Sequence, residues 1–266
     1  MKFWQAVTWA ETDQLIEIAK FAEECGFEGL MGGDHALWPN SLEPAYPYSD
    51  SGYPPQDEES EYPDQWVSIA AMAASTTTLK FTTGVYILPL RNPIEVAKAT
   101  ATISILSEGR FILGAGAGWM KEEFEAVNRP WDQRGLRADE TLEVFETLFS
   151  EGLSSYDGSW TKFRDIGFSP TPVDNHIPVW VGGHSQAAFK RTAVFGDAFH
   201  SAFAHPDLLS EQWTAVKREC DRLSRDTREL ELTSLFRLNF DGGDLAQGEI
   251  GGDTEQIIDQ IGQYSD

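Results

Sequence analysis

The sequence predicts a parallel α/β fold in one domain, and three observations carry that prediction. Short apolar runs such as Gly29-Leu30-Met31-Gly32, Phe111-Ile112-Leu113 and Pro178-Val179-Trp180-Val181 do not alternate, so they read as strands covered on both faces. Helix-period stretches separate them throughout, the order expected of strand–helix units. The 266 residues match the roughly 250 of a single α/β barrel, with no boundary or fixed-period repeat to divide them.

Taken in order, Phe3–Val7 is the first strand. Thr12 is the cap expected for a helix whose Leu15, Ile16, Ala19 and Ala22 share a face, and Gly26 ends it. Gly29–Gly32 is the second strand, with Asp34-His35 at its C-terminal end. Residues 36–63 form a long insertion rich in Pro, Tyr and acids, expected to act as a lid. Asp64 caps a helix carrying Val67, Ile69, Ala70 and Ala73, and Leu79–Ile87 is the third strand. Asn92-Pro93 is a strong helix start, and the helix it opens is apolar on most sides and therefore buried.

Gly109 closes that helix, Phe111–Leu113 is the fourth strand, and Gly114, Gly116 and Gly118 follow as a glycine mouth with Trp119 at its rim. The spacing is not the dinucleotide fingerprint, since the third glycine comes one residue early. Helices are expected near Lys121–Val127 and Ala138–Ser150, and 151–177 reads as irregular. Val179–Val181 is a fifth strand, Ala198–His200 a sixth and Leu230–Phe240 a seventh. Helices begin at Ser185, Asp207 and Thr254. A closed barrel needs eight strands, so a gap beside the first strand is expected; Asp241–Gly252, with five glycines in twelve residues, is too flexible to fill it as a strand.

The net charge of −23 argues against nucleic acid and against anionic membrane surfaces. No run approaches the ~20 apolar residues of a membrane span, and strand residues from the first few positions leave no signal peptide, so a cytoplasmic location is expected. Cys25 and Cys220 read as buried thiols.

The chemistry-bearing residues fall at strand C-terminal ends, the active face of a barrel: Asp34-His35, Gly84-Val85, the glycine mouth with Trp119, and Gly182-Gly183-His184-Ser185. The last is a strand-to-helix turn, either an ordinary one or a phosphate site built from free N–H groups and the helix dipole. His35 is a candidate general acid or base, or a hydrogen-bonded structural histidine. Metal-ligand spacing is absent, and no G-x-S-x-G elbow is present.

Gly84-Val85-Tyr86-Ile87-Leu88-Pro89-Leu90-Arg91-Asn92-Pro93, Leu106-Ser107-Glu108-Gly109-Arg110, Gly114-Ala115-Gly116-Ala117-Gly118-Trp119 with Glu122-Glu123-Phe124, and Arg134–Glu140 together resemble the luciferase-like family, as does Pro178–Ser185 with Gly196-Asp197. Within that family the chain looks most like the branch usually assigned to the deazaflavin coenzyme F420. The resemblance implies a (β/α)₈ TIM barrel, here lacking its eighth strand, spanning 1–266 with the lid at 36–63. It implies hydride transfer between coenzyme F420 and a small organic substrate; an FMNH₂/O₂ monooxygenase and a non-catalytic flavin-binding protein stay open. It makes His35 catalytic with Asp34 tuning the local field, and puts a non-prolyl cis peptide at Gly84-Val85 against the cofactor ring. Gly116, Gly118 and Trp119 would lie beside that ring, with Gly182, Gly183, His184 and Ser185 on its phosphate tail. Trp119 stands where sugar-phosphate dehydrogenases of the family place a catalytic glutamate, so that proton donor is not expected here. A homodimer stays open.

Overall fold

The computed structural model describes residues 1–43, 46–49, 51–240, 245 and 248–264. The chain clusters into two units, residues 2–42 with 55–179, and residues 1, 43–54 and 180–266.

The first unit is built on parallel strands β1 (Trp4–Ala6), β2 (Gly29–Gly32), β3 (Lys80–Thr83) and β5 (Phe111–Gly116), paired in that order, with β4 (Tyr86–Ile87) also on β5. Leu30, Phe81, Phe111 and Leu113 are at most 1% exposed, which accounts for the unalternating apolar runs. Around the strands stand α1 (Leu15–Glu24), α2 (Gln65–Ala74), α3 (Pro93–Leu106), α4 (Lys121–Ala126) and α5 (Arg134–Phe149). The Asp64 carboxylate accepts the Trp66 and Val67 N–H groups, and Asn92 accepts that of Ile94, so both caps form where the sequence places them. Gly26 and Gly109 take φ of +79°, the left-handed helix end. Thr12 is no cap: it lies in a short 3₁₀ turn, and its N–H and hydroxyl donate to Glu61.

The Arg110 guanidinium gathers the carbonyls of Ala73, Thr76, Leu79 and Ser107, satisfying chain ends that helices leave open. The Glu23 carboxylate does the converse for Thr77, Thr78 and Leu79, accepting all three N–H groups.

The structure corrects several expectations here. Leu79–Ile87 is two strands, because four residue steps from Thr82 to Tyr86 stand opposite three from Ile112 to Ala115 on β5, a bulge centred on Gly84-Val85. The fourth strand runs on to Gly116, so Gly114 and Gly116 are strand residues. The stretch read as irregular contains an antiparallel hairpin, β6 (Leu153–Asp157) and β7 (Lys162–Gly167); Glu140, buried on α5, holds its turn by accepting the Ser159, Trp160 and Thr161 N–H groups. Cys25 is exposed, past the buried face of α1, while Cys220 is buried as expected. Val67 is 70% exposed, on the outer side of α2 from Ile69 and Ala73.

The second unit has β8 (Val179–Gly182), β9 (Ala198–Ala202) and β10 (Glu231–Leu235) in parallel, with Gly182, His200 and Thr233 in register. Phe199 turns toward α6 (Gln186–Phe195) and α7 (Pro206–Leu223), packing with Phe189, Ala193, Val216, Cys220 and Leu230. Trp180 and His200 stack on the opposite face. The expected Leu230–Phe240 strand breaks at Phe236 into β10 and β11 (Arg237–Asn239). β11 pairs in parallel with β12 (Glu249–Gly251), so part of the glycine-rich stretch read as unfit for a strand is one; residues 241–244, 246 and 247 lie outside the described residues. α8 (Thr254–Gly262) closes the unit behind a reciprocal Asp253–Gln256 cap.

No eighth strand parallel to β10 is present among the described residues. Residues 36–63 contain no helix or strand among those described; 43–54 cluster with the second unit and the flanks with the first, and residues 44, 45 and 50 lie outside the description.

Candidate active site

Asp34 and His35 leave β2 in succession and turn to different partners, as side chains of adjacent extended residues must. Asp34 is 7% exposed. Its two oxygens take the Arg91 guanidinium fork at 2.6 and 2.6 Å, and Oδ2 also accepts the Ile87 N–H at 2.8 Å. Burial pushes the Asp34 carboxyl above the ordinary carboxylate range, against the downward pull of the Arg91 charge and the Ile87 N–H. Arg91 lies over the Tyr86 ring at 4.4 Å and donates to the Ile87 carbonyl. The pair therefore ties the end of β2 to the segment after β4, and its geometry makes Asp34 a scaffold for its neighbour.

His35 meets a residue that sequence reasoning passed over. Glu123, on α4, is completely buried; its Oε2 lies 3.3 Å from His35 Nδ1, and its Oε1 accepts the Ala36 N–H. Three aromatic rings stand edge-on to the imidazole: Tyr62 at 4.9 Å, Trp38 at 5.1 Å and Trp119 at 5.8 Å between centroids. Trp38 and Tyr62 stack on each other, 4° from parallel, and both come from the insertion. Trp119 is thus placed beside His35, and the flanks of the insertion supply the other two walls. Glu123 stood in the sequence as part of the Glu122-Glu123-Phe124 motif of the family resemblance, on a short helix just past the glycine mouth, with no role assigned to it.

The Gly84–Val85 peptide is cis, as the resemblance implied. In the run from Phe81 to Leu90 these two residues alone are partly exposed, the rest being buried. The glycines answer to this bulge. A Cβ on Gly114 would sit on the Thr83 carbonyl oxygen, one on Gly116 would strike the Val85 side chain, and one on Gly84 would strike the Met31 sulfur. Gly118 takes φ of +83° and approaches Ile87 and Phe124, where an added Cβ would lie 2.8 and 2.9 Å away. Gly114 and Gly116 therefore let the bulged strand approach β5, and Thr83 Oγ1 locks it by donating to the Gly114 carbonyl at 2.8 Å.

The first unit brings Asp34, His35, Gly84, Val85, Gly116, Gly118 and Trp119 together in this way. Gly182–Ser185 belong to the second unit, where Gly183 has φ of +123° and Ser185 Oγ accepts the Ala188 N–H as the cap of α6. The remaining first-turn N–H groups of α6 are those a helix leaves without an internal acceptor. His184 meets the half-buried Tyr48 ring edge-on at 6.0 Å, and Tyr48 in turn meets Phe203. Burial pushes the Tyr48 hydroxyl up to about 12.

Among the described residues no cluster of three His, Cys, Asp or Glu is arranged to hold a metal, and no helix is long and apolar enough to cross a membrane.

Comparison with known proteins bears on this arrangement. The sequence pattern of the luciferase-like monooxygenase family matches residues 4–241. An uncharacterized protein of Mycobacterium tuberculosis (strain ATCC 25618 / H37Rv) is 29% identical over 243 residues, covering 91% of this chain and 84% of its own. The F420-dependent glucose-6-phosphate dehydrogenase of Amycolatopsis mediterranei (strain U-32) is 25% identical over 233 residues, 85% of this chain and 65% of that one. The FMNH(2)-dependent dimethylsulfone monooxygenase of Pseudomonas putida is 28% identical over 191 residues, 70% and 47% of the two chains. Among solved structures, an F420-dependent secondary alcohol dehydrogenase in complex with an F420-acetone adduct aligns with a TM-score of 0.81 at 17% identity, covering 100% of this chain and 90% of that one. At that identity the likeness shows the fold, which is that of the (β/α)₈ barrel enzymes.

Proposed function

The chain belongs to the luciferase-like monooxygenase family and is an oxidoreductase, and from that premise we propose that it transfers hydride between coenzyme F420 and a small organic substrate, with His35 carrying the proton. The observation that supports this most is the His35–Glu123 pair: an imidazole held by a buried carboxylate, walled by three aromatic rings, on the loop leaving β2.

The residues fit a flavin-like group. A flat ring needs an apolar bed, and the Gly84–Val85 peptide is the one partly exposed step in a buried run. Taken within its own unit, the start of α6, with Gly183 in a conformation that disfavours side chains, offers backbone donors of the kind a phosphate needs. When bound, the deazaflavin supplies the carbon that accepts or gives hydride. The chain's own work is then to bind, orient and move a proton. His35 exchanges that proton at Nε2, since Nδ1 faces Glu123. The Tyr62, Trp38 and Trp119 rings exclude water and give an apolar or planar substrate a surface.

The Pseudomonas relative supports a second reading, an FMNH₂/O₂ monooxygenase on the same scaffold. Anaerobic incubation with a deuterated donor and oxidised F420, then with FMN, separates the two. Label appearing in F420 alone supports hydride transfer; oxygen uptake with FMNH₂ and no exchange with F420 supports the second reading. His35→Ala should keep cofactor affinity within about tenfold while turnover falls ~10²-fold or more; near wild-type turnover would remove His35 from the chemistry.

A further inference from the structure

Glu123 is a carboxylate with no exposure, placed on a six-residue helix with both oxygens committed to one dipeptide: Oε1 to the Ala36 N–H and Oε2 to His35 Nδ1. An uncompensated buried carboxylate is costly, so its counter-charge must be found nearby. The Arg91 charge acts on Glu123, but its guanidinium is already engaged by both Asp34 oxygens and the Ile87 carbonyl. The group in direct contact with Glu123 that can take up a positive charge is the imidazole itself.

We propose that Glu123 is the positioning residue of His35, fixing the imidazole with its proton on Nδ1 and balancing the charge when Nε2 takes up a second proton. A carboxylate only accepts, so the ring nitrogen facing it must donate. That assigns one tautomer: Nδ1–H toward Glu123, Nε2 with its lone pair free for the substrate proton. When that proton arrives, the Nδ1–H bond stays intact, the ring becomes imidazolium, and the pair with Glu123 passes from one net negative charge to none. The contact to the Ala36 N–H fixes the backbone that carries the ring, so one side chain sets both the position and the protonation of the group. Among the described residues, the titratable and charged groups around the ring are Glu123 from α4, Tyr62 from the insertion, and, one residue back, Asp34 with Arg91 from the segment after β4.

The inference rests on reading His35 as the proton carrier, and its test is chosen to stand apart from that reading. ¹⁵N spectra of histidine-labelled protein, with the His35 signals assigned by their loss in His35→Gln, report the tautomer without cofactor or turnover. Wild-type protein should show His35 as a single Nδ1–H tautomer, and folded Glu123→Gln should show it mixed. In turnover, Glu123→Gln should lower kcat about 10- to 100-fold, the scale of losing a partner that orients a functional histidine, with KM within about threefold and partial recovery in Glu123→Asp. A wild-type His35 protonated on Nε2, or an unchanged tautomer in folded Glu123→Gln, overturns the proposal; the wild-type spectrum decides it even if the variant does not fold. A tautomer that shifts as expected in a protein that exchanges no hydride with F420 leaves Glu123 in its role and rejects the hydride-transfer function instead.

Discussion

Asp34→Asn tests whether the first of the two residues after β2 is scaffold or chemistry. The carboxylate accepts three hydrogen bonds, two from the Arg91 fork and one from Ile87, with side chains 5% and 23% exposed. An asparagine offers one acceptor oxygen and turns an NH₂ toward a guanidinium that can only donate. Removing one member of a buried pair costs about 3–5 kcal/mol, because the other charge stays behind; one retained acceptor bond puts the expected loss near the lower end, about 3 kcal/mol. For a chain of this size that is a fall in Tm of roughly 6–12 °C, read by circular dichroism and by urea titration with an unchanged m value. Asp34→Asn combined with Arg91→Met should cost less than the sum of the two single losses, since the double variant leaves no buried charge, and the cycle should show coupling of about 1 kcal/mol or more. A stability loss under about 1 kcal/mol, with turnover down more than a hundredfold, would refute the scaffold argument and make Asp34 a direct participant.

Three further outcomes follow from the same geometry. Gly114→Ala places a methyl group on the Thr83 carbonyl and should abolish or severely weaken folding, whereas Gly26→Ala meets no atom and should cost only about 1–2 kcal/mol for its positive φ; equal losses in urea titration would mean the bulge does not need its glycines. His200 is buried with Nδ1 on Thr233, and burial pushes it down to about 4 from 6.5, so it stabilises the fold above pH 6.5 and that contribution is lost as pH falls through 4; His200→Gln should flatten the stability curve across that window, and parallel curves would refute the assignment. The Thr77, Thr78 and Leu79 N–H groups hold Glu23 down to about 2 from 4.5, so its stabilisation is full above 4.5 and disappears as pH falls through 2; Glu23→Gln should be less stable at neutral pH and converge with wild type at the acid end, and a constant difference down to pH 2 would count against it.

The sequence by itself determined what depends on neighbours in the chain. Asp64, Asn92 and Ser185 cap their helices because a cap reaches N–H groups two or three residues on, and Gly26 and Gly109 end theirs because a positive φ is a local demand. The apolar runs of β2, β5 and β8 announced buried strands for the same reason, and the motifs around Gly84-Val85, Gly114–Trp119 and Pro178–Ser185 carried the family. Only the tertiary structure decided which groups those local pieces meet. Glu123 reaches His35 across 88 residues and Arg91 reaches Asp34 across 57, and no periodicity marks either acid or base as the partner. The glycines of β5 looked like a mouth for a ligand because sequence shows only a missing side chain; the bulged strand that needs the space comes from 31 residues earlier. Cys25 looked buried because its helical pattern is apolar, yet it falls past the face that packs. Caps and turns are fixed by atoms a few bonds apart, whereas the partner of a buried charge is fixed by which strand ends the fold brings together, and that is settled when the sheet assembles.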